Sequence, residues 1–365
     1  MATGAYILEL MGGARNLVQY ANLAPGEEVV LAAGTQVDPI VTQAVLAALS
    51  EQPVTITTVV VPDPGPLFHE PPLPVVEAVA AADTLIDVGA HIWGYTRACY
   101  VSMTEYLTKG ILVAPPVRPD VFTSRAATFP IDLLHAIELR ISELVQQPDG
   151  TPYHLVAPNG TDLRGQVWRD RTGQGWGSIA GLMPGDFLVW PPGVVGFLPP
   201  KAADGMAVFD FFTGFGKTSV PVSYVIEGQR IVEVRGGYEA EDVRQLIAAA
   251  TNGDFVAGIT WGVNPAIHVD LTTRPVSLEA ARSPQALHIG IGDEKLSGSP
   301  IRSVRPDGST FHLDALMVYP TLTVDGETVL DRGRLPFLDD HGFRELAAEF
   351  GDPDELLAYP QVRGY

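Results

Sequence analysis

The residues of this sequence that are best suited to chemistry are a histidine and an aspartate, His312 and Asp314, within the run Ser309–Met317. Polar and apolar residues alternate in this run, which predicts a half-buried strand. Both side chains then project from one face, about 6.6 Å apart along the backbone. A neutral imidazole and a carboxylate on a rigid strand can bind a divalent cation if a third ligand is added. The alternative is two polar residues satisfied within a sheet.

His288 is the obvious candidate for the third ligand. It stands in the run Ala286–Asp293, where apolar residues again alternate, so its side chain can point into the same cleft as His312 and Asp314. Asp293, the last residue of the run, and the following Glu294 either orient an imidazole or belong to a solvated turn. The three residues together would leave positions on the metal open for chemistry.

The composition indicates a folded protein with an acidic surface. The 365 residues are 46% hydrophobic, enough for a substantial core, and 43 acidic against 23 basic residues give a net charge of −20. This charge repels phosphate backbones and anionic lipids, so we expect neither nucleic acid nor membrane as a partner. The single cysteine, Cys99, excludes an intramolecular disulfide and fits a reducing compartment. Without the basic region of a signal peptide or an apolar run of spanning length, the sequence predicts a cytoplasmic protein.

Residues 1–148 carry alternating strand and helix patterns. Strands are predicted near residues 29–33, 54–61, 84–88 and 111–113. Helices are predicted near residues 39–49, 74–82, 102–108 and 129–145. The alternation predicts an α/β domain of the doubly wound, Rossmann-like type, whose loops at the carboxyl ends of parallel strands bind ligands.

Residues 149–365 have a different character. Short β-runs divided by Gly and Pro predict strands near residues 153–157, 165–168, 206–212, 220–226 and 230–235, with one helix at 240–250. We therefore expect a β-rich α+β carboxyl-terminal domain that carries the metal-binding strand. The cleft is expected between the two domains.

Several short stretches, in a shared order over about 290 residues, carry a resemblance to a known family. They are Gly34–Pro39, Glu70–Pro74, Tyr95–Ala98, Ala157–Leu163, Gly262–Ala266, His288–Gly290 and His312–Asp314 with Thr323–Gly326. Together they resemble the aminopeptidase T-like metallopeptidases and their non-peptidase relatives, which include 2,5-dihydroxypyridine 5,6-dioxygenase. The resemblance implies that His288, His312 and Asp314 bind metal.

The chain departs from both branches of that family. In the peptidases two glutamates also bridge a metal pair, but the aligned stretches here, Pro192–Gly196 and Gly258–Gly262, contain no carboxylate. Two His and one Asp imply a single metal with open positions, as in ferrous oxygenases. In the dioxygenase relatives one His stands where this chain has Gly258. The missing imidazole must then come from His288 or from His268, in the second His-x-Asp of the chain.

Four other residues are candidates for catalysis. In the family, the loop that here carries His91, Tyr95 and Arg97 faces the metal cleft, so the resemblance implies that His91 or Tyr95 moves protons and Arg97 holds a substrate carboxylate. Arg97 is equally compatible with an ion pair within a domain interface. Tyr319 follows the metal strand and resembles a position that either supports a metal ligand or donates a phenolate; the alternative is a packed aromatic at a strand end.

Three functions compete on these grounds. The first is a metal enzyme acting on a small polar cyclic or aromatic molecule, best as a ring-cleaving dioxygenase with one Fe(II). The second is a metallo-aminopeptidase or related amide hydrolase using Zn(II), and the third is a degenerate ligand-binding relative without turnover. The family also implies a homo-oligomer, most simply a dimer.

Overall fold

The structure, a computed structural model, describes residues 3–62, 70–92, 96–168, 182–193, 196–213, 216–273, 278–293, 301–306 and 308–365. The helices are α1 (Thr3–Tyr20), α2 (Pro39–Leu49), α3 (Leu73–Ala80), α4 (Arg97–Thr104), α5 (Pro119–Phe122), α6 (Ile131–Val145), α7 (Tyr238–Ala249), α8 (His341–Ala348) and α9 (Pro353–Leu356). The strands of the first half are β1 (Glu28–Gly34), β2 (Thr55–Val61), β3 (Thr84–Val88), β4 (Lys109–Val113), β5 (Pro152–Val156), β6 (Asp162–Val167), β7 (Phe187–Trp190) and β8 (Gly196–Leu198). Those of the second half are β9 (Pro200–Phe212), β10 (Gly216–Glu227), β11 (Arg230–Arg235), β12 (Val256–Trp261), β13 (Ala286–Gly292), β14 (His312–Val318), β15 (Thr321–Val324) and β16 (Glu327–Leu330). None of the helices in these ranges combines the length and the apolar character that crossing a membrane requires.

The first of two compact units contains the chain to His135 together with residues 182–193. Its sheet has five parallel strands in the order β2-β1-β3-β4-β7. Helices α2, α3 and α4 lie between successive strands in the chain, which confirms the predicted α/β class. Apolar side chains of α1, α2 and the sheet form one buried core that extends to Trp190.

The direction in which successive strands are added to this sheet reverses between β1 and β3. The loops that follow these two strands are connected by a hydrogen bond. The buried carboxylate of Asp87 accepts hydrogen bonds from the backbone N–H groups of Ala90, His91 and Ile92, at 2.7, 3.1 and 2.7 Å. The side-chain amide of Gln36 donates to the carbonyl of Gly89 at 2.6 Å. In open α/β sheets, ligands bind at such a reversal.

The second unit contains residues 136–168 and 196–365 in the described part of the chain. Its eleven-stranded sheet follows the order β16-β15-β5-β6-β9-β14-β13-β12-β8, while β10 joins β9 to β11. Every strand pair in it is antiparallel. All of β13 is buried, and β14 is buried except at Asp314, so these strands are covered on both faces rather than half-buried as their alternation predicted.

The two units do not follow the predicted division between residues 148 and 149. Strand β7, which the sequence placed in the second domain, pairs in parallel with β4 and completes the first sheet. Its Trp190 donates its indole N–H to the side chain of Asn16 on α1 at 3.1 Å. The composition change near residue 149 marks the first antiparallel strands, but the chain later returns to the first sheet.

One helix begins earlier than predicted. Residues 102–108 were expected to be helical, whereas α4 spans Arg97–Thr104. Its start is fixed by two caps, since Thr96 Oγ1 accepts from the Cys99 N–H at 3.0 Å and the Glu70 carboxylate accepts from the Ala98 N–H at 3.3 Å. Glu70, from the stretch 70–74, thus caps the helix that begins at Arg97.

Candidate metal centre

The register of three antiparallel strands brings the predicted ligands onto one face. Rows of directly paired residues run Thr260–His288–Leu316, then Gly258–Gly290–Asp314, then Gly292–His312. Paired residues point to the same side of a sheet, and so do residues two apart along a strand. His288, His312 and Asp314 therefore share a face, and glycines occupy the positions beside the last two.

The three side chains meet at the carboxylate of Asp314. His312 Nε2 lies 2.8 Å from Asp314 Oδ1, and His288 Nε2 lies 3.9 Å from the same oxygen. The side chains of His288, His312 and Asp314 are 11%, 2% and 14% exposed. The centre is thus nearly closed to water, which strengthens charge interactions within it.

The hydrogen bonds of His312 define how its ring is protonated. Nδ1 lies 2.6 Å from the backbone carbonyl of Asp293, and a carbonyl only accepts, so Nδ1 carries a proton. In a neutral ring Nε2 then has a lone pair that faces Asp314 Oδ1 at 2.8 Å. Two acceptors at this distance need a proton or a metal ion between them. This arrangement fits the predicted metal site.

One ring nitrogen of His288, Nδ1, is buried and lacks a hydrogen-bond partner among the described residues. Burial, only partly opposed by the charge of Asp314, lowers the pKa of His288 to about 4, so the ring is neutral at physiological pH. A buried polar atom without a partner is uncommon in a folded protein and is often explained by a water or an ion.

Asp314 remains a carboxylate despite its burial. Burial alone raises its pKa, but His312, His288 and Arg282 around the carboxylate outweigh this effect and lower the pKa to about 2. A permanent negative charge in a nearly dry pocket attracts a cation. The donor set of two imidazoles and one carboxylate suits zinc or iron.

The ligands are not fully assembled. Nowhere in the described ranges do three or more His, Cys, Asp or Glu side chains form a set arranged to hold a metal ion. Ligands about 2.1 Å from one ion stand roughly 3 Å apart when they are at right angles. His312 Nε2 and Asp314 Oδ1, 2.8 Å apart, already have this spacing. His288 Nε2 lies farther from the same oxygen, at 3.9 Å.

A phenylalanine ring occupies the place where the dioxygenase relatives are expected to carry another ligand. Gly258 pairs with Gly290, in the row of Asp314. A Cβ added to Gly258 would lie 2.6 Å from the ring of Phe197, which pairs with Thr260 on the same face. No side chain fits at position 258 as the structure stands. The sequence pointed to a missing ligand, but not to the ring that fills its space.

Two residues near the centre were not predicted from the sequence. Arg282 is buried, and its charge acts on both His288 and Asp314. Its backbone passes so close to Gly262 that a Cβ there would lie 1.7 Å from the Arg282 carbonyl carbon. Tyr224 has a buried hydroxyl without a hydrogen-bond partner in the described part of the chain, and the charge of Asp314 acts on it. In the sequence, Gly262 was noted only as part of the stretch Gly262–Ala266 that resembles the family.

His268 was the alternative ligand, and its neighbourhood differs from that of His288. The charge interaction of His268 is with Asp270, whose carboxylate accepts from the N–H and the hydroxyl of Thr272 at 2.8 and 2.5 Å. The groups that act on His288 are Asp314, Arg282 and His312. The structure therefore groups His288, rather than His268, with the His312–Asp314 pair.

The remaining candidates are distributed as follows. His91 lies in the loop after β3 with a positive φ of 54°, held by Asp87. Tyr95 and the side chain of Arg97 lie outside the described residues. Tyr319 also has a positive φ, of 57°, and its ring packs edge-on against Tyr365 with centroids 5.1 Å apart. Its position matches the packed strand-end aromatic that was the alternative to a catalytic phenol.

The chain also resembles a known family and known structures. The sequence profile of the NicX family, 2,5-dihydroxypyridine 5,6-dioxygenase, matches residues 9–336. No curated protein matches the chain by sequence.

Two solved structures share the fold. The 2,5-dihydroxypyridine dioxygenase of Pseudomonas putida KT2440 superposes with a TM-score of 0.68 at 18% identity, over 89% of this chain and 96% of that one. Wild-type AmpT of Thermus thermophilus superposes with a TM-score of 0.59 at 16% identity, over 90% of this chain and 98% of that one. At such identities the likeness establishes a common architecture.

Proposed function

Because the chain belongs to the 2,5-dihydroxypyridine 5,6-dioxygenase family, we propose that it is a metal-dependent enzyme that opens the ring of a small polar cyclic or aromatic molecule. The observation that carries the proposal is the convergence of His288 and His312 on one oxygen of Asp314, within 3.9 and 2.8 Å. A two-His-one-carboxylate set with open positions is the ligand type of non-haem ferrous oxygenases.

His288, His312 and Asp314 would hold one divalent ion, with Fe(II) favoured over Zn(II). A ferrous ion supplies the redox chemistry by which dioxygen reacts with an electron-rich ring. The protein side of the site is nearly dry, and Asp314 offsets one unit of positive charge. The remaining positive charge, together with that of Arg282, favours a substrate that binds as an enolate or phenolate.

The proposal assigns proton transfer to His91 or Tyr95, and substrate anchoring to Arg97. His91 is suited to its role because Asp87 holds the backbone of its loop through three hydrogen bonds. An imidazole whose backbone is fixed loses little entropy when it reaches a substrate. Replacing Tyr95 by Phe should lower turnover while leaving metal content unchanged.

The second candidate is an amide hydrolase with Zn(II). The fold shared with AmpT supports it. A two-metal hydrolase needs additional carboxylates, and at Gly258 the chain has neither a carboxylate nor space for one beside Phe197. The dioxygenase assignment is therefore preferred.

Metal analysis of protein purified without added metal tests the choice. Iron near one equivalent supports the dioxygenase, two zinc ions support the hydrolase, and no metal supports a ligand-binding relative without turnover. Oxygen uptake by the Fe(II)-loaded protein with 2,5-dihydroxypyridine then probes the reaction. Asp314→Ala should abolish metal binding and uptake together, and Asp270→Ala, from the second His-x-Asp, is the matched control that should retain both. An Asp314→Ala protein that keeps its metal and activity would refute the site.

A further inference from the structure

The backbone carbonyl that orients His312 belongs to Asp293, and Asp293 is in turn bound by residues outside the candidate metal centre. Asp293, at the end of β13, is fully buried. Its carboxylate accepts from Arg302 Nε at 2.5 Å and from the Ser303 N–H at 3.2 Å. Its own N–H donates to the Phe311 carbonyl at 2.8 Å. The Asp293 backbone is thus fixed through its side chain and its N–H group.

The Asp293 carbonyl is the group that accepts the Nδ1 proton of His312, at 2.6 Å. The direction of this carbonyl sets both the rotation of the imidazole and the nitrogen that carries its proton. Gly292 turns the chain at this point with a positive φ of 88°, and a Cβ there would lie 2.5 Å from the Phe311 carbonyl oxygen. The turn therefore has little freedom once the Asp293 carboxylate is anchored.

Arg302 forms the ion pair with the Asp293 carboxylate, and it does so from the protein surface. Its side chain is 43% exposed, whereas that of Asp293 is 0% exposed. Its backbone is tied to a neighbouring loop, since its carbonyl accepts from the side-chain amide of Asn252 at 3.0 Å. A buried carboxylate that loses its cation is strongly destabilised and moves towards water or other donors. Such a movement would drag the Asp293 peptide and its carbonyl away from His312.

We propose that Arg302 and Asp293 are positioning residues that tune metal affinity by fixing the tautomer and orientation of His312. This inference rests on the proposed function, because it assumes that His312 Nε2 is a metal ligand. Removing a hydrogen-bonding partner behind a metal ligand typically weakens metal binding about 10- to 100-fold. The sequence left open whether Asp293 orients an imidazole or lies in a solvated turn; in the structure its carboxylate is buried and its carbonyl lies against His312.

Titration of the metal-free protein with Co²⁺ by calorimetry tests the proposal. We expect Arg302→Met and Asp293→Asn each to weaken Co²⁺ binding about 10- to 100-fold, and Arg302→Lys, which keeps the charge, to restore part of the loss. Arg230→Met is the matched control. Arg230 is also 43% exposed and forms a 2.6 Å ion pair, with Asp254, so its loss should leave the affinity unchanged.

A second readout separates positioning from general damage. Nitrogen-15 NMR of the imidazoles in the metal-free protein reports which ring nitrogen is protonated. Wild type should show a proton fixed on His312 Nδ1, whether or not Nε2 is also protonated, and Arg302→Met should show partial loss of the Nδ1 proton, at an unfolding midpoint close to that of Arg230→Met. Unchanged tautomer and affinity in both Arg302→Met and Asp293→Asn would overturn the inference.

The two proposals fail differently. If His312→Ala binds Co²⁺ as tightly as wild type, the metal centre itself is wrong. If His312→Ala abolishes binding but the Arg302 and Asp293 variants bind normally, the centre stands and only the positioning role is lost. Should Arg302→Met not fold, Asp293→Asn decides the question, since it preserves the shape of the buried side chain.

Discussion

The chain contains the pattern His-x-Asp twice, and the two copies have different structures. His312 and Asp314 lie in a buried strand, where a residue spacing of two places both side chains on one face. His268 and Asp270 lie outside the named strands, and Asp270 folds back onto Thr272 and lies 3.8 Å from Arg363. In the first copy the carboxylate meets an imidazole, and in the second it closes a turn.

The difference shows that what a His-x-Asp pattern can bind depends on its backbone conformation and on the side chains that surround it. An aspartate that accepts from the N–H two residues ahead forms a local turn, which satisfies the carboxylate without a metal. In the strand no such local donor is available, because the N–H groups pair with the next strand. Asp314 is therefore left to meet side chains on its own face of the sheet, His312 two residues before it on β14 and His288 on β13.

The largest expected effect separates the two histidines directly. His312→Ala should weaken Co²⁺ binding by more than about 100-fold, because loss of a ligand costs more than loss of its outer partner. His268→Ala should leave the affinity unchanged. Calorimetric titration of both metal-free variants checks this, and equal losses in the two would show that the copies share a function.

His288 should have a smaller effect than His312. His288 Nε2 lies 3.9 Å from Asp314 Oδ1, farther than two ligands of one ion would be. Part of the binding energy is therefore used to move the imidazole closer. We expect His288→Ala to weaken Co²⁺ binding about 10- to 100-fold. The same titration measures it, and an affinity equal to that of wild type would leave His312 and Asp314 as the only protein ligands.

A third effect concerns stability and pH. Burial lowers the pKa of His288 to about 4 in the folded state, compared with about 6.5 in an unfolded chain. Between these values the unfolded state binds a proton that the folded state does not, so the metal-free protein loses stability as the pH falls from about 6.5 to 4, by at most about 3 kcal/mol. Urea unfolding at several pH values measures the loss. His288→Gln should remove this contribution, and His268→Gln should not.

The smallest effect is expected at the second aspartate. Asp270→Ala removes the hydrogen bonds from the N–H and hydroxyl of Thr272 and should cost about 1 kcal/mol of unfolding free energy. Metal affinity should be unaffected. A fall in Co²⁺ affinity without a fall in stability would contradict the structural role of the turn.

Local patterns were enough to predict the alternating first sheet and the shared face of His312 and Asp314. They could not predict that Phe187–Trp190 returns to the first sheet, because parallel pairing with β4 depends on distant residues. Nor could they distinguish His288 from His268, which required the register of β13 against β14. Arg282 was missed because its charge reaches Asp314 through tertiary packing rather than sequence spacing.

The contact between Gly258 and Phe197 has an evolutionary consequence. A side chain introduced at position 258 would meet the Phe197 ring at 2.6 Å, so an extra ligand cannot be added there while the ring remains in place. Removing the ring first would leave a cavity over a glycine, which destabilises the sheet before any ligand is gained. Substitution at either position is therefore expected to depend on the other. A ligand-bearing side chain at position 258 would require a paired change, with a smaller residue at position 197.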